Sequence, residues 1–267
     1  MSKESPADIP SQNPARLDRL LVSIATYNER ENLPELVKNI HRYVPHADVL
    51  IVDDNSPDGT GQLAEELARQ DSRITVKHRS GKLGLGSAIV AGMQHAMSHG
   101  YSRFVSMDAD GSHDPKYLPA LTTLPAECDV MIGSRYVTGG GVVNWPWKRL
   151  LISRSVNAFT RVFLGIPARD ASGGFRCYRT DLLRKIPLQH LWSKGYSFQE
   201  EMLFRCIHTG GKVRETPIIF ADRRIGASKA NVQEMIRSLG VLLHLSAAAC
   251  FLPEKLYVPG NSSVAAG

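Results

Sequence analysis

Nowhere does the chain string together the roughly 18 apolar residues that a membrane-spanning helix needs. Cysteine is scarce, with Cys128, Cys177, Cys206 and Cys250 the only four in 267 residues. Their wide spacing excludes a zinc cluster, and an even number alone implies no disulfides, so they read as reduced cytosolic thiols. The opening MSKESPADIPSQNPARLDR has no apolar core, which excludes a signal peptide; its Pro, Ser, Asn and Asp content reads as a flexible tail over 1–18. There is no internal repeat and no nucleic-acid motif, so no nucleic-acid partner is expected. Charge of one sign is not extreme: 32 Lys and Arg against 26 Asp and Glu give +6, a modest excess that suits an anionic ligand or a membrane surface.

What remains is an ordinary globular composition, 43% apolar and 22% charged. Strands are expected at 20–25, 48–52, 74–77 and 104–107, with helices at 33–43, 61–70 and 84–99 between them. Pro34 suits a first helical turn, and Leu85, Ala88, Ile89, Met93 and Met97 recur at helical spacing. Such alternation predicts an α/β fold with a mostly parallel, doubly wound sheet and helices on both faces. Farther on, the pattern predicts a helix from Pro115 to Leu124, a strand at 128–133, helices at 150–164 and 195–208, and a strand at 213–220. A last helix over 231–252 begins amphipathic and ends almost wholly apolar, and 253–267 reads as a disordered tail.

Three strands end in polar loops, carrying Tyr27 and Glu29, Asp53 and Asp54, and Asp108 and Asp110. In an open parallel sheet these loops share one edge, where ligands bind. Within FVSMDADGSH, Asp108 and Asp110 flank the small Ala109 at a strand end. Two carboxylates so placed can share a hard cation such as Mg²⁺ with substrate phosphates, and Ala109 lets a diphosphate come close. The segment GKLGLGS at 81–87 fails both glycine-rich patterns. It has no Gly-Lys-Ser/Thr opening its helix, and Ile89 stands where a dinucleotide fingerprint needs Gly or Ala. It serves either loop-to-helix packing or donor contact.

Eight strings in order resemble one family: TYNERENLPELV, VDDNSPDGT, KLGLGSA, MDADGSHDP, GSRY, WKRLLISR, GYSFQEEM and DRRIGASK. Together they resemble the polyprenyl-phosphate (dolichyl-phosphate) mannosyltransferases, inverting family 2 glycosyltransferases of GT-A fold. The catalytic domain would then span 19–230. The resemblance implies that Ala25, Tyr27, Glu29, Val52 and Asp54 line the nucleotide site, with Ala109, Arg223 and Lys229 at the diphosphate. It places Asp108, Asp110 and Ser112 at Mg²⁺ or Mn²⁺, Arg135 at the reaction centre, and Arg149 and Ser153 with Arg135 at the lipid's phosphate. A cation and basic side chains would offset the charge on the departing diphosphate.

Three positions depart from the family's pattern. Ala25 replaces a usual Pro, Gly111 replaces a usual Leu and loosens that turn, and Glu200 stands where an apolar residue is usual, leaving Glu201 as the acidic position. His113 is expected beside the metal rather than on it, since a hard cation prefers oxygen. Glu201 is expected to position substrate or pair with an Arg. Arg149 serves either the acceptor or a membrane surface, and Trp145 and Trp147 either pack or anchor at an interface. The activity expected is transfer of mannose from GDP-mannose to a polyprenyl phosphate, at the cytoplasmic face of a membrane. Attachment is peripheral through the final helix, with a separate membrane subunit possible. UDP-glucose is the rival donor. A nucleotidyltransferase would need a triphosphate-binding Gly-rich loop near the first strand, which TYNERENLP lacks. A non-catalytic role in a membrane complex is disfavoured by the intact metal, Arg135 and Arg223 positions.

Overall fold

The computed structural model describes residues 18–193, 195, 197–221, 240 and 243. The expected tails apart from Asp18, nearly all of the final helix, Arg223 and Lys229 lie outside them. Strand β1 (Leu20–Thr26) runs into α1 (Leu33–Tyr43), β2 (Asp48–Asp53), α2 (Thr60–Gln70), β3 (Ile74–His78), α3 (Leu85–Ser98) and β4 (Arg103–Asp108). All agree with the expected alternation to within a residue or two. After a 3-10 turn, Pro115–Tyr117, come α4 (Leu118–Thr122), β5 (Val130–Ser134), β6 (Gly141–Val143) and α5 (Trp147–Phe163). The chain continues through β7 (Arg176–Arg179), α6 (Thr180–Leu183), α7 (Phe198–His208), β8 (Val213–Pro217) and β9 (Ile219–Ala221).

Seven strands form one sheet in the order β3-β2-β1-β4-β7-β5-β8. β3, β2, β1 and β4 are parallel, β7 lies antiparallel between β4 and β5, and β8 returns parallel to β5. β6 and β9 form a separate parallel pair. Nothing in the sequence pattern marks β7 as a strand, β6 falls within the Gly-rich loop expected from Val137 to Trp147, and β8 and β9 read as the single strand expected at 213–220.

Apolar alternation along each strand divides the core between the two faces. Leu50, Val52 and Phe104 pack with Ala88 and Met93 of α3 and Met202 and Phe204 of α7. Val49, Ile51 and Val105 pack on the opposite face with Leu36 and Ile40 of α1 and Ala64 of α2. Burying both sheet faces is what makes parallel strands stable. It also brings the carboxyl ends of β1, β2 and β4 together at one edge. At the other end of β4, Arg103 pairs with Asp18 at 2.7 Å and Ser102 donates to the same carboxylate, which ties down the last residue of the expected tail.

Candidate active site

The sheet edge opens into a crevice of about 250 Å³, walled by Ala25, Tyr27, Glu29 and Asp54 and floored by Asp108 to Asp110. Thus the structure brings together most of the residues expected at the nucleotide and the metal. Val52 is an exception, because its side chain is fully buried in the core. The neighbouring Asp53 also turns inward: its carboxylate accepts from Thr26 Oγ1 at 3.0 Å and Ser56 Oγ at 2.6 Å. Strand alternation separates the two carboxylates, so Asp53 braces loops while Asp54 faces the crevice.

The loops are fixed from below. Glu29 N–H donates to Thr60 Oγ1 and Asn28 N–H to Ser56 Oγ, tying the β1 loop to the β2 loop. Asp54 lies 2.7 Å from Arg79 and accepts the amides of Leu83 and Gly84. The amides of the KLGLGSA loop therefore point at a protein carboxylate. Gly86, in the first turn of α3, is required by close approach: an added Cβ would lie 2.8 Å from the Phe198 ring. The loop still contributes to the crevice, since Lys82 holds its ammonium 4.2 Å from the Tyr27 ring centre. The KLGLGSA motif includes Lys82 but gives it no role, and nothing local in the sequence marks Arg79.

Asp108 closes β4, and its amide donates to His113 Nδ1 at 3.0 Å. A nitrogen that accepts an amide proton carries none of its own, so the 3.7 Å approach of that nitrogen to the Asp108 carboxylate is not an ion pair. Asp110 is buried, and its Oδ1 accepts from both the amide and the hydroxyl of Ser112. Gly111 sits between them at φ +75°, where only glycine is unstrained. The donor set of Asp108, Asp110 and Ser112 is all oxygen, which fits Mg²⁺ or Mn²⁺. Among the described residues no three His, Cys, Asp or Glu side chains cluster as a metal site. A cation here would need further oxygens from a ligand.

The residues expected at an acceptor phosphate gather beside Trp145. Arg149 lies 4.0 Å from its ring centre and Arg135 5.3 Å. Tyr136 donates its hydroxyl to Ser153 Oγ at 2.7 Å. Trp145 packs edge-on to Phe220, and Phe220 edge-on to His113, so an aromatic ladder joins this cluster to the Asp108 loop. Trp145 is thus a packing residue, whereas Trp147 is exposed.

Arg135 is held by a residue of RDASGGFR, 169–176, a stretch that reads from sequence as loop alone. Asp170, wholly buried, accepts from the Arg135 amide, Nε and Nη2. Burial would raise the Asp170 carboxyl, but the Arg135 hydrogen bonds and charge outweigh it and hold it below the ordinary range. Burial likewise opposes the charge on Arg135, and the same bonds keep its pKa above the usual value.

At α7 the two acids part company. Glu201 accepts from Trp192 and Ser193 amides and pairs with Arg205 at 2.8 Å, the arginine-pairing role expected of it. Glu200 is buried near Arg176, Asp170 and Arg135, and its Oε2 has no hydrogen-bond partner among the described residues. Burial pushes its carboxyl up to about 7, against the pull of the two arginines.

With this geometry in hand, the comparisons are specific. Residues 21–187 match the family model for glycosyl transferase family 2. The chain is 49% identical over 221 residues to the polyprenol monophosphomannose synthase of Mycolicibacterium smegmatis, covering 81% of this chain and 83% of that one. It is 46% identical over 211 residues to the undecaprenyl-phosphate mannosyltransferase of Micrococcus luteus, covering 79% and 87%. The solved glucosyl-3-phosphoglycerate synthase of Mycobacterium tuberculosis, bound to Mn²⁺, UDP-glucose and glycerol 3-phosphate, superposes at TM-score 0.59 with 16% identity, covering 93% and 87%. That likeness concerns the fold, a GT-A-like arrangement. Matched over more than half its length by the family model, and nearly half identical to two curated relatives across about four fifths of it, this chain belongs to glycosyl transferase family 2.

Proposed function

We propose that the protein transfers mannose from GDP-mannose to a polyprenyl phosphate, with inversion at the sugar carbon. The observation that carries this reading is the convergence of Arg135, Arg149 and Ser153 around Trp145 and Tyr136, joined by the aromatic ladder to the carboxylate-floored crevice. The names of the two curated relatives support both the sugar and the lipid phosphate.

In this reading Tyr27, Glu29 and Asp54 hold the nucleoside, while Arg223 and Lys229 meet the diphosphate. Asp108, Asp110 and Ser112 would hold a divalent cation, which when bound lowers the negative charge on the departing diphosphate. The acceptor needs little activation, because a phosphate monoester with a second pKa near about 6 already carries an anionic oxygen at neutral pH. Arg149 and Arg135 shield and orient that phosphate. Ser153 Oγ accepts the hydrogen bond of the Tyr136 hydroxyl, which leaves its own hydrogen for a phosphate oxygen. Neither buried acid of α7 is required as a general base: Glu201 is engaged by Arg205, and Glu200 is shut in the core.

A lipid acceptor places the enzyme at a membrane surface, on the cytoplasmic face in this reading. Helix α5 exposes Trp147, Leu151, Ile152, Val162 and Phe163, which suits an interfacial position. Among the described residues no helix is long and apolar enough to cross a membrane. The test is a donor panel of GDP-mannose, GDP-glucose, UDP-glucose and UDP-galactose with a polyprenyl phosphate, with and without excess EDTA. GDP-mannose should give by far the fastest transfer, and EDTA should abolish it. Preference for UDP-glucose would overturn the sugar assignment, and full activity in EDTA the metal assignment.

A further inference from the structure

A second cavity, of about 430 Å³, lies between α5 and the loop after β5. Arg154, Arg161 and Arg169 line it together with Arg135, and among the described residues no acidic side chain does. Arg154 and Arg161 stand seven residues apart, two helical turns, and so share a face of α5. Several other arginines of the chain pair with carboxylates, as in Arg73 with Asp71 and Arg214 with Glu127. Here, among the described residues, the guanidinium groups of Arg154, Arg161 and Arg169 have no carboxylate partner. Asp170 is committed to Arg135, and the Glu215 carboxylate accepts the main-chain amides of Arg169 and Asp170.

Three like charges converging on one hollow repel one another unless an anion joins them. Guanidinium forks match phosphate oxygens in pairs, which a lysine's point charge does not. The cavity also has room for more than a bare phosphate. The geometry points to a second anion site, one that takes a phosphate-bearing group other than the acceptor: a free phosphate or an anionic lipid head group. It shares Arg135 with the acceptor residues, but Arg154, Arg161 and Arg169 are not among them. On α5, Arg149 and Ser153 are four residues apart on one face, and Arg154 begins the next face about 100° around the helix axis. Exposed apolar residues on the same helix would bring the cavity's mouth near a bilayer, so both sources of phosphate are within reach.

The full-length protein is compared with Arg154→Gln/Arg161→Gln, with Arg169→Gln as an independent second variant. A charge-matched control, Lys38→Gln/Arg69→Gln, removes two exposed cations on α1 and α2. Inorganic phosphate is titrated by its effect on thermal unfolding. Flotation with phosphatidylcholine vesicles, with and without phosphatidylglycerol, reads the lipid source. The site variants should lose at least about 10-fold in affinity for one or both probes, while the control keeps the wild-type values, since each lost charge-assisted bond weakens binding several-fold. Loss for phosphate and vesicles alike assigns the phosphate group itself. Loss for phosphatidylglycerol vesicles alone assigns a head group held at a bilayer. Wild-type binding by the variants, equal loss in the control, or no binding of either probe by the wild type would overturn the site. So would a rise in the polyprenyl-phosphate KM with both probes unaffected, which would make the cavity part of the acceptor site.

Discussion

Asp170 grips Arg135 by three bonds, from the main-chain amide at 2.9 Å, from Nε at 2.7 Å and from Nη2 at 2.6 Å. A fourth contact, Arg135 Nη2 to Ser172 Oγ at 2.8 Å, completes the hold. One edge of the guanidinium is thereby fixed by the protein, and its place beside Trp145 does not depend on a ligand. Asp170→Asn keeps the shape and removes the charge, leaving a buried cation half-paired. The variant should be destabilised by about 3–5 kcal/mol and transfer more slowly, as measured by urea unfolding and initial rates. Unchanged stability would mean that Arg135 is held by other contacts.

Glu200 predicts a pH dependence of stability. In the folded protein its carboxyl titrates at about 7 against an ordinary value of 4.5, so the native state keeps a proton that the unfolded chain releases first. Its contribution is complete below pH 4.5 and is lost as pH rises toward about 7. Glu200→Gln, which needs no proton, should flatten that fall and be more stable than wild type at pH 8, by on the order of 2–3 kcal/mol. Parallel stability curves from pH 4.5 to 8 for the two proteins would contradict it.

Gly86 tests the packing of the KLGLGSA loop. Alanine is the better helix former by about 1 kcal/mol, yet a Cβ here would meet the Phe198 ring at 2.8 Å. Overpacking typically costs about 1–3 kcal/mol, so the clash should outweigh the propensity gain. Gly86→Ala should lower the midpoint of thermal unfolding, and Phe198→Leu in that background should restore part of it. A stabilised alanine variant would show that the ring moves freely.

Much of this was legible from the residues. Leu20 to Asp108 alternates apolar runs with helical spacing so regularly that four parallel strands and their order of use follow directly. Asp54, Asp108 and Asp110 stand at strand ends, which locates the crevice before any coordinates. Strand alternation sets Asp53 and Asp54 on opposite sides, but which of them meets the crevice was not legible, because it depends on which side of the strand the loop leaves. Nor was Asp170: it sits 35 residues from Arg135, in RDASGGFR, a loop with no periodic signal. β7 escaped because four residues rich in arginine, with Cys177 and Tyr178 between, resemble no buried strand until they are seen inserted antiparallel between β4 and β5.

In the proposed reaction the acceptor is a lipid phosphate rather than an alcohol. The direct measurement is the initial rate of mannose transfer from GDP-mannose to a polyprenyl phosphate and to the matching free polyprenol. An alcohol lacks the charge that the arginines meet and would need a base that neither Glu200 nor Glu201 is placed to supply. The phosphate should therefore react at least about 100-fold faster, a difference of a few kcal/mol in barrier. Comparable rates on the two acceptors would contradict the account and leave a family 2 glycosyltransferase with a different acceptor.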